Sequence, residues 1–134
     1  MSSAAARRHY SQDGLGMVSN ERILVMLYER LDRDLFEAAT QAALGDRMGT
    51  HAAIMHAQDI LYELIGALDV DAWEGAAALQ ELYVFCLNEI IDANITQDPA
   101  RLNKCRDLLR PIGEAWREAS VDPVGLETPQ AGLG

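Results

Sequence analysis

The sequence predicts an all-α protein: an antiparallel up-down four-helix bundle with a mobile N-terminal arm and a disordered C-terminal tail. Three observations carry that expectation. Apolar residues recur three and four apart along four stretches of similar length, the period of an amphipathic helix. Glycine, proline and small polar residues divide those stretches, and short links make neighbouring helices antiparallel. No run of β-branched residues alternates with period two, so strands have no support.

Residues 1–18 are small, polar and glycine-containing, with isolated Tyr10, Leu15, Met17 and Val18, and read as an arm. The bundle is expected over 19–119. Ser19 is suited to cap the first helix, with Glu21 in its first turn opposite the dipole. Leu24, Leu27, Leu31, Leu35, Ala38 and Ala42 form its core stripe, and Gly45 ends it. About 25 residues of helix would extend about 37 Å. Thr50 is the expected cap of a second helix carrying Ile54, Ala57, Leu61, Leu64 and Leu68. Asp71 and Glu74 have the spacing of a capping box ahead of a third, with Leu79, Leu82, Cys86, Ile90 and Ala93 inside. Asp98-Pro99 pairs an N-cap with proline at the first helical position. The fourth helix carries Leu102, Cys105, Leu109, Ile112 and Trp116. Residues 120–134, with two prolines and three glycines after Ser120, read as a disordered tail.

A chain of 134 residues suits one domain. Eleven Lys and Arg against 21 Asp and Glu give a formal net charge of -10, which repels phosphate backbones and argues against a nucleic-acid partner. No stretch reaches the roughly 18 apolar residues of a membrane span, and the residues after Arg7-Arg8 lack the apolar core of a signal peptide. Cys86 and Cys105 fall in apolar helical patterns and read as buried, reduced thiols of a cytoplasmic protein. Charge is uneven: Met48 to Asp98 contains no Lys or Arg, whereas Arg101, Lys104, Arg106, Arg110 and Arg117 follow closely. Acidic and basic helices pairing across a bundle explain this, as does an acidic rim facing a partner.

Catalytic patterns are missing from the sequence. No Glu is followed three residues later by His, the motif of metal-binding bundles. His51 and His56 stand about 140° apart round a helix, unsuited to a shared metal. A phosphorelay histidine usually has a nearby lysine to attract phosphate; His56 is followed instead by Ala-Gln-Asp. Neither a nucleophile–base pair nor a phosphate-cradling glycine loop is evident. The expectation is a binding protein without cofactor or metal, not an enzyme.

Surplus apolar surface is the positive signal. In LYVFCLNEII, residues 82–91, apolar side chains point in nearly every direction round a helix. Once the core stripe is assigned, Val84, Leu87 and Ile91 form a second stripe, with Tyr83 at its flank. Met55 and Tyr62 lie outside the core stripe of the second helix, one heptad apart. A wide core or a folded-back arm would absorb this surface; so would a helix laid into a groove. Burial of four to six anchors would gain roughly 6–15 kcal/mol gross, against about 2–5 kcal/mol for ordering a disordered segment.

Tyr10, Leu15, Ser19, Glu21, Leu24 and Met26-Leu27-Tyr28 occur at spacings that resemble the opening signature of the flagellar export chaperone FliS family. His56-Ala57-Gln58-Asp59-Ile60-Leu61-Tyr62-Glu63-Leu64 resembles a second family segment. Leu82-Tyr83, Ala93-Asn94 and Glu114-Ala115-Trp116 follow in order, so the likeness covers about residues 10–119. The resemblance implies a cytoplasmic chaperone that binds the disordered C-terminal segment of flagellin in surface grooves, prevents its premature polymerisation and hands it to type III export through FlhA. It adds Tyr10, Leu15, Gln58 and Asn94 to the candidate contacts Met55, Tyr62, Tyr83, Val84, Leu87 and Ile91. The arm is then expected to cover part of the groove. A dimerising adaptor, at least a weak homodimer, is the alternative use of the same stripe.

Overall fold

Four helices make up the regular structure of the computed structural model, which describes residues 20–126: α1 Asn20–Ala43, α2 Arg47–Ala67, α3 Ala76–Thr96 and α4 Pro99–Leu126. Contacts far apart in sequence join neighbouring helices, and those between opposite ends mark an antiparallel arrangement. Tyr28, early in α1, packs edge-on against Trp116, late in α4, with centroids 6.5 Å apart. Arg30 of α1 donates to His56 of α2 at 3.0 Å, and Asn94 of α3 donates to His51 of α2 at 2.8 Å. α1 packs against α2 and α4 most extensively; α3 sits opposite it against the same two helices, less closely.

Chain breaks follow local chemistry, with two shifts from expectation. Gly45 adopts φ 79°, the left-handed conformation glycine allows at low steric cost, and ends α1. α2 starts earlier than Thr50 predicts. Asp46 is its cap, accepting from the Gly49 amide at 2.9 Å, while Thr50 is a buried helical residue whose hydroxyl donates to the Asp46 carbonyl at 2.7 Å. Aspartate caps through a carboxylate that reaches the free amides of the first turn, and the closely spaced Gly45-Asp46 pair exploits that. α3 likewise ignores the Asp71–Glu74 box. It begins at Ala76 behind Gly75, a cap residue with no side chain to bond the first turn, and in the preceding turn the Asp71 amide donates to the Asp69 carboxylate at 3.0 Å. Asp98 caps α4 as expected, accepting from the Ala100 amide at 3.0 Å.

At its far end α4 continues past Ser120 to Leu126, so the helix outlasts the boundary drawn at 119. The Ser120 hydroxyl donates to the Arg117 carbonyl, a bond compatible with a continuing helix. The rest of the expected tail, the arm with Tyr10 and Leu15, and the Ser19 cap lie outside the described residues.

The core is one continuous cluster drawn from all four helices, and most predicted stripe residues belong to it. Ile112 is only packed against the core's edge, and the other exceptions are register choices. In α1, Tyr28 is buried and Leu27 is only packed against the core's edge. In α3, Tyr83 is fully buried whereas Leu82 is half-buried. Tyr83 was expected at the surface as a partner contact, and this is a correction. Its hydroxyl lies 2.6 Å from that of Tyr28, across the bundle, with ring centroids 6.4 Å apart. Spacing alone permits Leu79–Leu82–Cys86 or Leu79–Tyr83–Cys86. The second choice buries a larger ring while giving its hydroxyl a partner, which a buried polar group requires.

Cys86 and Cys105 meet between α3 and α4, both buried and free. The Cys105 thiol donates to the Cys86 carbonyl at 3.8 Å. Its hydrogen bond with Cys86 and its burial together push the Cys105 thiol well above the usual thiol range, so it is held protonated.

Candidate binding furrows beside the third helix

α1 and α3 occupy opposite corners, yet their flanks differ in chemistry. The cleft between α1 and α4, about 380 Å³, is lined by Glu29, Asp32, Arg33, Arg106, Arg110 and Arg117 among others. Arg106 forks onto Asp32 at 2.9 and 3.2 Å and lies 5.0 Å from the Phe36 ring centre; Arg117 reaches Glu29 at 3.1 Å. Gly113 permits this close seating, since a Cβ there would stand 3.2 Å from the Tyr28 ring.

Beside α3 the surfaces are apolar. Between α2 and α3 a hollow of about 730 Å³ is lined by Met48, His51, Ala52, Asn94 and Ile95, with Arg47 at its end. By helical position Met55 and Tyr62 extend the α2 bank, one and two heptads beyond Met48, while Val84, Leu87 and Ile91 extend the α3 bank. Met48 is 84% exposed, Ile95 70% and Val84 41%. Leu87 and Ile91 are half-buried, and Leu87 packs on the core's edge. Gln58 is half-buried on the same side of α2. The His51–Asn94 hydrogen bond, 2.8 Å between Nδ1 and the amide nitrogen, ties the two banks together.

A second furrow, about 410 Å³, runs between α3 and α4 beside Trp73, Ala78, Leu82, Pro111, Ile112 and Trp116. Gly75 is required here because a Cβ would collide with the Trp73 ring folded over it. Phe85 and Leu108 are exposed farther along its banks, and Lys104 Nζ stands 5.4 Å over the Phe85 ring. Pro111 lies inside α4, where it removes the amide that would bond the Asp107 carbonyl and presents its ring to the furrow.

The structure therefore brings Met55, Gln58, Tyr62, Val84, Leu87, Ile91 and Asn94 to one side of the α2–α3 pair and removes Tyr83 into the core. Sequence reasoning missed Met48 and Ile95, although Met48 stands one heptad before Met55 and Ile95 four residues after Ile91. It also missed the α3–α4 furrow. The signal was present in Phe85 and Leu108, apolar residues outside both core stripes.

Fold and furrows together describe a helical scaffold with open apolar channels, the class of a binding protein. The family model described as "Flagellar protein FliS" matches residues 1–123. A flagellar secretion chaperone FliS of Vibrio cholerae is 30% identical over 90 residues, 66% of this chain and 62% of that protein. The corresponding Campylobacter jejuni protein is 29% identical over 119 residues, 88% of this chain and 93% of its own length. That of Salmonella typhimurium is 28% identical over 104 residues, covering 76% and 77%. The chain belongs to the FliS family, a family of chaperones and not of enzymes. Among the described residues no helix is long and apolar enough to cross a membrane.

Proposed function

We propose that this protein is a cytoplasmic flagellar export chaperone that holds the disordered C-terminal segment of flagellin in the furrows beside α3. The observation that carries the reading is the joining of family membership to apolar banks, exposed Met48, Met55 and Tyr62 on α2 and, on α3, exposed Val84 and Ile95 with half-buried Leu87 and Ile91 between them. A segment that folds as a helix there hides the apolar surface it would otherwise offer to other copies, which prevents premature polymerisation. The loaded complex is then passed to type III export by way of FlhA.

Copurification tests this directly. Full-length flagellin should be retained by the tagged chain, and flagellin lacking its C-terminal segment should be lost. Equal retention of both would refute the reading.

A further inference from the structure

Sulfur is distributed differently in the interior of the bundle and at the α2–α3 furrow. Both cysteines, Cys86 and Cys105, are buried between α3 and α4, where a dissolved oxidant does not reach a thiol. The methionines of the described residues are placed the opposite way. Met26, Met48 and Met55 are 56%, 84% and 41% exposed, although methionine is among the residues most often enclosed. Met48 and Met55 stand one heptad apart on the α2 bank, and Met48 lines the hollow with Ala52 and Ile95. Met26 lies on α1 and lines neither furrow. The sulfur most open to solvent is therefore set in the apolar wall that faces a partner.

We infer that Met48 and Met55 form an oxidation site through which a peroxide closes the furrow to apolar partners. The site rests on exposure and placement, and its consequence for binding rests on the docking reading proposed above. A lone pair of the thioether sulfur attacks one peroxide oxygen, the O–O bond breaks, and proton transfer releases water. Each methionine gains one oxygen atom and gives two electrons to the peroxide. A flexible apolar side chain thereby becomes a polar sulfoxide. An apolar helix laid over it would bury that oxygen without a hydrogen-bond donor, which opposes docking. A methionine sulfoxide reductase reverses the step: two thiols become a disulfide, and the oxygen leaves as water. The buried cysteines take no part, so the response belongs to the furrow and leaves the core intact.

The test treats the full chain with graded hydrogen peroxide and maps oxygen addition by peptide mass spectrometry. The oxidised protein is then titrated with the flagellin C-terminal segment and with the dye ANS, which reports exposed apolar surface. Met48 should gain oxygen first among the described residues, and the two cysteines last. Oxidation of Met48 and Met55 should weaken segment binding at least about tenfold and lower the dye signal, with helicity kept. Reductase treatment should restore both readouts. The variant Met48→Leu, Met55→Leu conserves the volume of the bank and should lose neither readout under the same peroxide, although Met1, Met17 and Met26 stay oxidisable. Cysteine oxidation ahead of Met48, unchanged readouts after both methionines are oxidised, or equal losses in the leucine variant would each overturn the inference. Failure of the unoxidised chain to bind the segment would remove the flagellin reading alone. The mass map and the dye would then decide this one.

Discussion

α1 and α3 stand at opposite corners of one bundle and use their apolar residues differently. α1 buries the small residues Ala38, Ala39 and Ala42 and α2 buries Ala53 and Ala57, and the two helices pack closely. On its other side Gly113 lets α4 close over Tyr28. α3 buries Leu79, Tyr83 and Ile90 but carries further bulk on both flanks, Leu87 and Ile91 toward α2 and Leu82 toward α4. Those flanks hold its neighbours off, and the result is an apolar furrow on either side. The lesson concerns placement: α1 seats its apolar stripe closely and leaves Met26 and Phe36 as separate exposed residues, whereas α3 carries apolar residues on the flanks that border both of its neighbours.

The comparison breaks first at the core. Leu31→Ala or Leu35→Ala, each removing a fully enclosed side chain, should lower stability by about 2–5 kcal/mol in urea unfolding. Val84→Ala on α3's flank should stay within about 0.5 kcal/mol; a cost matching the α1 variants would place Val84 in the core. Leu87→Glu is an intermediate case. Its half-burial against the core predicts a loss of about 1–3 kcal/mol with helicity retained, and collapse of the circular-dichroism signal would assign it to the interior. Tyr83→Phe removes the hydroxyl contact with Tyr28 and should cost about 1 kcal/mol, sharpening the choice of Tyr83 over Leu82 as the buried residue. Gly66→Ala is the smallest change. It lies on the same side of α2 as Tyr62 with no atom within 4 Å of an added Cβ, and it should stabilise the chain by about 0.5 kcal/mol without altering the furrow.

Much of this fold was legible in the sequence because helical periodicity and glycine stops are local signals. Gly45 and Asp98-Pro99 act where their chemistry says they should. What local reading could not decide was competition between neighbours. Asp46 and Thr50 are both capable caps, and the structure selects the one whose carboxylate reaches the Gly49 amide. Leu82 and Tyr83 both fit the α3 stripe, and only a hydroxyl partner fifty-five residues away favours Tyr83. The candidate site was half legible for the same reason. Surplus apolar residues on one helix are visible in its sequence, but a furrow needs two banks. Pairing Phe85 with Leu108, or Ile95 with Met48, requires knowing which helices are adjacent.

The central claim is that apolar surface spared by loose seating of α3 receives the client, and calorimetric titration of the flagellin C-terminal segment tests it most directly. Met55→Glu with Val84→Glu in one chain should weaken binding at least about tenfold, more than about 1.4 kcal/mol, while its melting temperature stays near that of the parent. Phe36→Glu, at a more exposed apolar position on the α1–α4 side, should leave affinity unchanged. Undiminished binding by the double variant, or equal loss from Phe36→Glu, would contradict the account.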